Sequence, residues 1–357
     1  MVVCVGYWEL LISSYILIAR YILNMIRKQG VIVIEDYEPN KYEYSYKRCS
    51  DRQMSWQKKV IDLLGAMSES IVKRTSAFNI ANHDRSVDKD VSVVIMSDWL
   101  KFLDSVMLLI SLGKFDTSLV LVRTMLELSI QLSYMLLEDK ETRAAYYIIS
   151  HVIKNHKTLQ LLKEQKNKDN IIEAKSELLN DIKTAHNDFI VDVAKKILEH
   201  IGEISEAKSS WFALYSKVET IDKNQKATSI SSMIGIVAEA RNPEKGFLNT
   251  NIVYDYFSRF AHGYFALNNS YIKNNQQYFK AYECLDNADM VIIMIVKLAE
   301  LNFISLYSAY EDEYGDKYEL GKEIGILEIR LGSLLNDLKE LKQLEGNNDK
   351  NKMICDE

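Results

Sequence analysis

The chain has 357 residues, of which 48% are hydrophobic and 26% charged, a balance that supports a sizeable buried core and excludes wholesale disorder. Only two prolines and 13 glycines punctuate it, so long helices are the natural expectation and a many-turned β fold is disfavoured. A formal charge of −6 supplies no global attraction to nucleic acid and leaves only a local basic patch available for that purpose.

In chain order, Val2 to Ile26 is strongly apolar, with Glu9, Ser13, Arg20, Asn24 and Arg27 recurring on one helical face. A narrow polar stripe of this kind fits a bundle helix and also a membrane helix with a partner. Glu9 in mid-segment favours the bundle, so membrane contact through this helix stands as the alternative to a cytoplasmic protein. No basic stretch precedes the apolar run, which argues against a secretory signal. Val31 to Ile34 reads as extended, and residues 36–54, tyrosine-rich and carrying Pro39, read as a polar linker.

Trp56 to Ala77 and Val91 to Leu112 show helical apolar spacing, separated by the loop NHDRSVDKD. Gly113 permits a tight turn, and Thr117 to Leu137 returns as an antiparallel helix, capped by Asp116 or Thr117. Thr142 to Gln165 and one long segment from Ile171 to Ile201 continue the pattern. Ser209 to Val218 carries Trp211, Ser229 to Ala240 opens on a capping serine, and the run RNPEKG then breaks the chain. Asn251 to Ser270 holds polar residues, Gln276 to Tyr310 reads as one long apolar helix, and Leu320 to Leu344 carries leucines at near-heptad spacing that could pair with another copy.

The resulting expectation is an all-α, multi-helix antiparallel bundle. Its parts would be an N-terminal hydrophobic helix (1–35), the linker (36–54), the main bundle (55–312), a C-terminal leucine-rich helix (313–345) and a disordered tail (346–357).

The chemistry concentrates in two places. Arg123 and Glu127 stand one turn apart on a helix whose other faces are apolar, and a buried charge there needs partners. If buried, the loss of Glu127 would strand Arg123 at a cost of roughly 3 kcal/mol or more. The segment YDYFSRFAHG offers such partners, because Asp255, Ser258 and His262 share one face if it is helical and Gly263 would end that helix. The two segments are therefore expected to pack face to face, with Arg123 or Glu127 touching Ser258 or His262. A Ser, a His and an Asp invite a hydrolase reading, but neither an exposed nucleophile elbow nor an oxyanion hole is encoded. The four cysteines form no CxxC pair and the six histidines no HExxH, so neither a metal nor a cofactor is expected.

The order Gly113, Arg123, Glu127, Trp211, then Ser258-x3-His262 in a tyrosine-rich stretch resembles an uncharacterised bacterial all-helical family, a domain of unknown function, over roughly residues 95–270. The resemblance implies a distant relation to the HEPN helical bundles, many of which are ribonucleases in toxin and antiphage systems. It also shows a departure: the HEPN nuclease signature sets an Arg four to six residues before its His, and here Arg259 stands three before His262. Two functions follow as expectations. One is a defence or stress effector acting on RNA or a nucleotide, in which His262 is general acid or base, Arg123 stabilises phosphorane charge and Glu127 orients them, with Ser258 and Asp255 alongside. The other is a non-enzymatic helical module that oligomerises through its N-terminal or C-terminal helix and uses the polar cluster as scaffolding.

Overall fold

The computed structural model describes residues 51–80, 86–155, 168–200, 210–219, 225–241, 270–273, 276–279, 285, 287–311 and 317–355. The helix expected at Val2 to Ile26, most of the linker and the Asp255–Ser258–His262 segment lie outside these residues. Among the described residues there are ten helices: α1 (Asp51–Ile80), α2 (Val87–Ser111), α3 (Phe115–Met135), α4 (Lys140–Asn155), α5 (Lys168–Ala185), α6 (Asp188–His200), α7 (Trp211–Val218), α8 (Ile230–Arg241), α9 (Ala288–Ala309) and α10 (Lys317–Cys355). The chain is all-α in class.

The central helix is α3, which packs against α2 on one side, α9 on another and α8 on a third. Leu119, Val122, Met125, Leu126, Ile130 and Leu132 on it are fully buried. The α2–α3 hairpin is made by Gly113, whose φ of 69° lies in the left-handed region that L side chains resist. Gly113 N–H donates to the Ile110 carbonyl and Lys114 N–H to the Leu109 carbonyl, both at 2.9 Å, the two bonds of a Schellman closure.

The start of α3 differs from the sequence expectation. Its N-cap is Lys114, which makes no side-chain capping bond, in place of Asp116 or Thr117. Packing sets this boundary: Phe115 is buried and its ring lies 5.8 Å from that of Trp56 on α1. The expected helix from Ile171 to Ile201 is two helices. Asn187 interrupts it, and its side-chain oxygen accepts from Ile190 N–H at 3.1 Å, capping α6. Ser229 caps α8, accepting from Ser232 N–H at 3.1 Å, while Ser232 Oγ accepts in return from Ser229 N–H at 2.9 Å.

Three further expectations are corrected toward the C-terminus. Gln276 to Tyr310 is not one helix: Ser270–Lys273 (β1) pairs antiparallel with Gln276–Phe279 (β2), Tyr271 opposite Tyr278, and α9 begins only at Ala288. Tyrosine, isoleucine and phenylalanine on either side of Asn274–Asn275 favour a hairpin over a helix. The hairpin falls in a compact unit of its own, residues 263–283 with 1–48, whereas the helices belong to a second unit, residues 49–262 with 284–357.

The leucine seam is also spent inside the chain. Leu320, Leu327, Leu331, Leu334 and Leu338 are buried, α10 packs on α1 and α9, and Trp56 Nε1 donates to the Leu334 carbonyl at 2.9 Å. The helix runs on through Cys355, where a frayed tail was expected. Among the described residues α9 is long and apolar enough to cross a membrane, but it is mostly buried within the bundle.

Candidate functional site

Among the part-exposed residues of α3, the polar side chains Arg123, Glu127 and Gln131 recur every four positions and share one face. Arg123 Nε donates to Glu127 Oε1 at 3.1 Å, and the two side chains are 20% and 29% exposed. The pair is bridged within one helix and is part-exposed. Both residues make further interactions. Asp255, Ser258 and His262, expected to face them, lie outside the described residues.

Gln131 links this stripe to an aromatic cluster, since its Oε1 accepts from Trp211 Nε1 at 2.9 Å. Trp211 is buried at the start of α7, with the Tyr134 ring at 5.7 Å and the Tyr147 ring at 6.1 Å. Tyr147, on α4, stacks on exposed His151 with ring centroids 4.4 Å apart. Burial pushes the Tyr147 phenol up, and the charge of Asp98 on α2 adds to that push.

Beneath Trp211 lies a buried cation. Arg143, only 1% exposed, donates from Nη1 to the Tyr134 carbonyl in the last turn of α3, placing positive charge at the negative end of that helix. Its guanidinium carbon is 4.3 Å from the Tyr134 ring centre and 5.0 Å from that of Tyr215. Arg143 Nε has no hydrogen-bond partner among the described residues. Tyr215 donates to Asp139 at 3.2 Å, and Asp139, at φ 46°, turns the chain from α3 into α4.

Tyr146 donates to Glu219 Oε1 at 2.8 Å, and Lys196 on α6 donates to the other oxygen of that carboxylate. Burial raises the phenols of Tyr134, Tyr146 and Tyr215; the Arg143 cation pulls Tyr134 and Tyr215 back, while Glu219 pushes Tyr146 further up. All three stay protonated donors at neutral pH, which suits positioning and hydrogen bonding rather than base chemistry. Among the described residues no group of three His, Cys, Asp or Glu side chains could hold a metal ion.

A model of a family of unknown function, DUF5677, matches residues 89–279, more than half of the chain. The chain belongs to this family. It has no match among curated proteins and none among solved structures. The DUF5677 match runs from α2 through β2, so it contains Arg123, Glu127, Gln131, Arg143, Trp211 and the Asp255–His262 segment, while α1, α9 and α10 lie outside it.

Sequence reasoning about this DUF5677 chain found the first two residues of the stripe and missed the rest. Gln131 was legible, standing one turn beyond Glu127 at the same spacing. Arg143 was not: a basic residue near the start of a helix reads as a solvated surface charge, and only the docking of α7 over α4 brings Tyr215 above it.

Proposed function

We propose that this DUF5677 protein is a bacterial defence or stress effector that acts on RNA or a nucleotide through the polar stripe of α3, in the manner of a distantly HEPN-like bundle. The observation that carries the reading is that Arg123 and Glu127 pair one turn apart on a single helix and are part-exposed. An intrahelical pair of this kind contributes only about 0.3–0.5 kcal/mol to stability, and it stands on a helix packed against three others. A guanidinium held by a carboxylate one turn away is, however, prepared to meet an anionic phosphate, because Glu127 limits its rotamers before binding. In this reading Arg123 stabilises charge developing on phosphorus, Glu127 orients it, and His262 moves the proton, with Ser258 and Asp255 alongside.

The test is to compare wild type with Arg123→Ala and His262→Ala, measuring RNA and nucleotide turnover, growth arrest on induced expression, and thermal melting. The expected result is loss of turnover and growth arrest with melting temperatures within about 3 °C of wild type. Variants that keep turnover and growth arrest, or a wild type that has neither, would overturn the proposal in favour of scaffolding.

A further inference from the structure

Gln131, Trp211, Tyr147 and His151 form a continuous chain of contacts from the floor of the stripe to the surface of α4. Gln131 Oε1 is fixed by the Trp211 indole at 2.9 Å, which leaves the Gln131 amide N–H groups with no partner among the described residues and free to donate outward. Trp211, itself buried, backs Tyr147 edge-on at 6.1 Å and holds that ring in place. Tyr147 is half-buried and His151 exposed, their rings 4.4 Å apart and inclined by 35°. His151 Nδ1 lies 2.9 Å from the Tyr147 carbonyl; a carbonyl only accepts, so Nδ1 carries the proton and Nε2 is left as an acceptor on the exposed ring.

Arg123 stands eight residues before Gln131, about 12 Å along the helix axis. The arrangement therefore sets a cation at one end of a half-open stripe and, at the other, aromatic faces with an unengaged amide donor beside them. Proteins that hold single strands combine these two elements, a cation that tracks the backbone and rings on which bases stack.

We infer that Tyr147 and His151, backed by Trp211 and flanked by Gln131, form a base-stacking subsite for single-stranded RNA whose phosphate engages Arg123. The inference rests on the RNA reading of Arg123 and adds to it the place where a base is held. Stacking on an aromatic ring tolerates every base, and the Gln131 amide adds a preference for bases that present an acceptor edge.

Fluorescence anisotropy with a labelled single-stranded oligoribonucleotide and with an abasic oligomer of the same length and charge separates the two elements. Wild type is expected to bind the base-bearing strand at least about fivefold more tightly than the abasic one. Tyr147→Leu should erase that difference and Tyr147→Phe keep it, while Arg123→Ala weakens both strands together. His151→Ala, at an exposed position that tolerates truncation, should narrow the difference and provides the same test should Tyr147→Leu fail to fold. Equal binding of the two strands by wild type, or a preference that survives both Tyr147→Leu and His151→Ala, overturns the stacking subsite alone. Failure of wild type to bind either strand overturns the subsite together with the RNA reading beneath it.

Discussion

Tyr310→Phe tests the junction that ties α9 to the start of α2. Asp88, in the first turn of α2, is 1% exposed, and Tyr310 Oη donates to its Oδ2 at 2.7 Å. Lys140 Nζ lies 3.6 Å from the same oxygen, donates to the Ala309 carbonyl at 2.9 Å and sits 4.1 Å over the Tyr310 ring. Removing the hydroxyl keeps the ring and its contact with Lys140 but withdraws the short, charge-assisted bond from a buried carboxylate. That loss costs about 1.5–3 kcal/mol. For a bundle of this size each kcal/mol moves the melting temperature by about 2–4 °C, so thermal unfolding followed by circular dichroism should show a fall of about 3–12 °C. Lys140→Met, at a half-exposed position, should cost less, and the double variant should depart from additivity because both side chains serve one carboxylate. A Tyr310→Phe protein melting within about 1 °C of wild type would refute the reasoning, since it would mean that Asp88 is satisfied without the phenol.

Two further outcomes follow from the same structure. Glu127→Ala should lower stability in urea unfolding by at least the roughly 0.3–0.5 kcal/mol of its part-exposed intrahelical bond to Arg123; a loss of 3 kcal/mol or more would assign the rest to its further contacts, as in the sealed ion pair that the sequence suggested. Glu300, bonded to Lys297 at 2.7 Å, has its carboxyl raised, burial outweighing the Lys297 cation and Glu328 adding to the rise. Its folded state thus binds the proton more tightly than its unfolded state, so its contribution is fully present at acid pH and is lost as pH climbs from the ordinary carboxylate range through the raised value. Glu300→Gln should flatten that part of a stability-against-pH curve, and an unchanged slope would contradict the assignment.

The sequence alone determined the helical class and most element positions, because apolar residues at 3.6-residue spacing and few breakers leave the chain little else to form. It also determined the α2–α3 turn, since Gly113 supplies a positive φ at no steric cost, and it located Arg123 and Glu127 by their one-turn spacing. Local rules failed where distant packing decided. Phe115 starts α3 through its contact with Trp56, and the leucines of α10 turn inward onto α1 although their spacing equally suits a second copy.

The hairpin at Ser270–Phe279 was missed because the apolar pattern of α9 was extended back to Gln276, and segments of four residues are too short to show a period of their own. The clearest division runs through the site itself. Spacing along one helix is a local property and put Arg123, Glu127 and Gln131 on one face, whereas Tyr215 over Arg143 and Trp211 against Gln131 join residues 72 and 80 positions apart. No periodicity encodes such contacts; they exist only once α7 has docked, because burial and the satisfaction of a buried cation are properties of the assembled bundle.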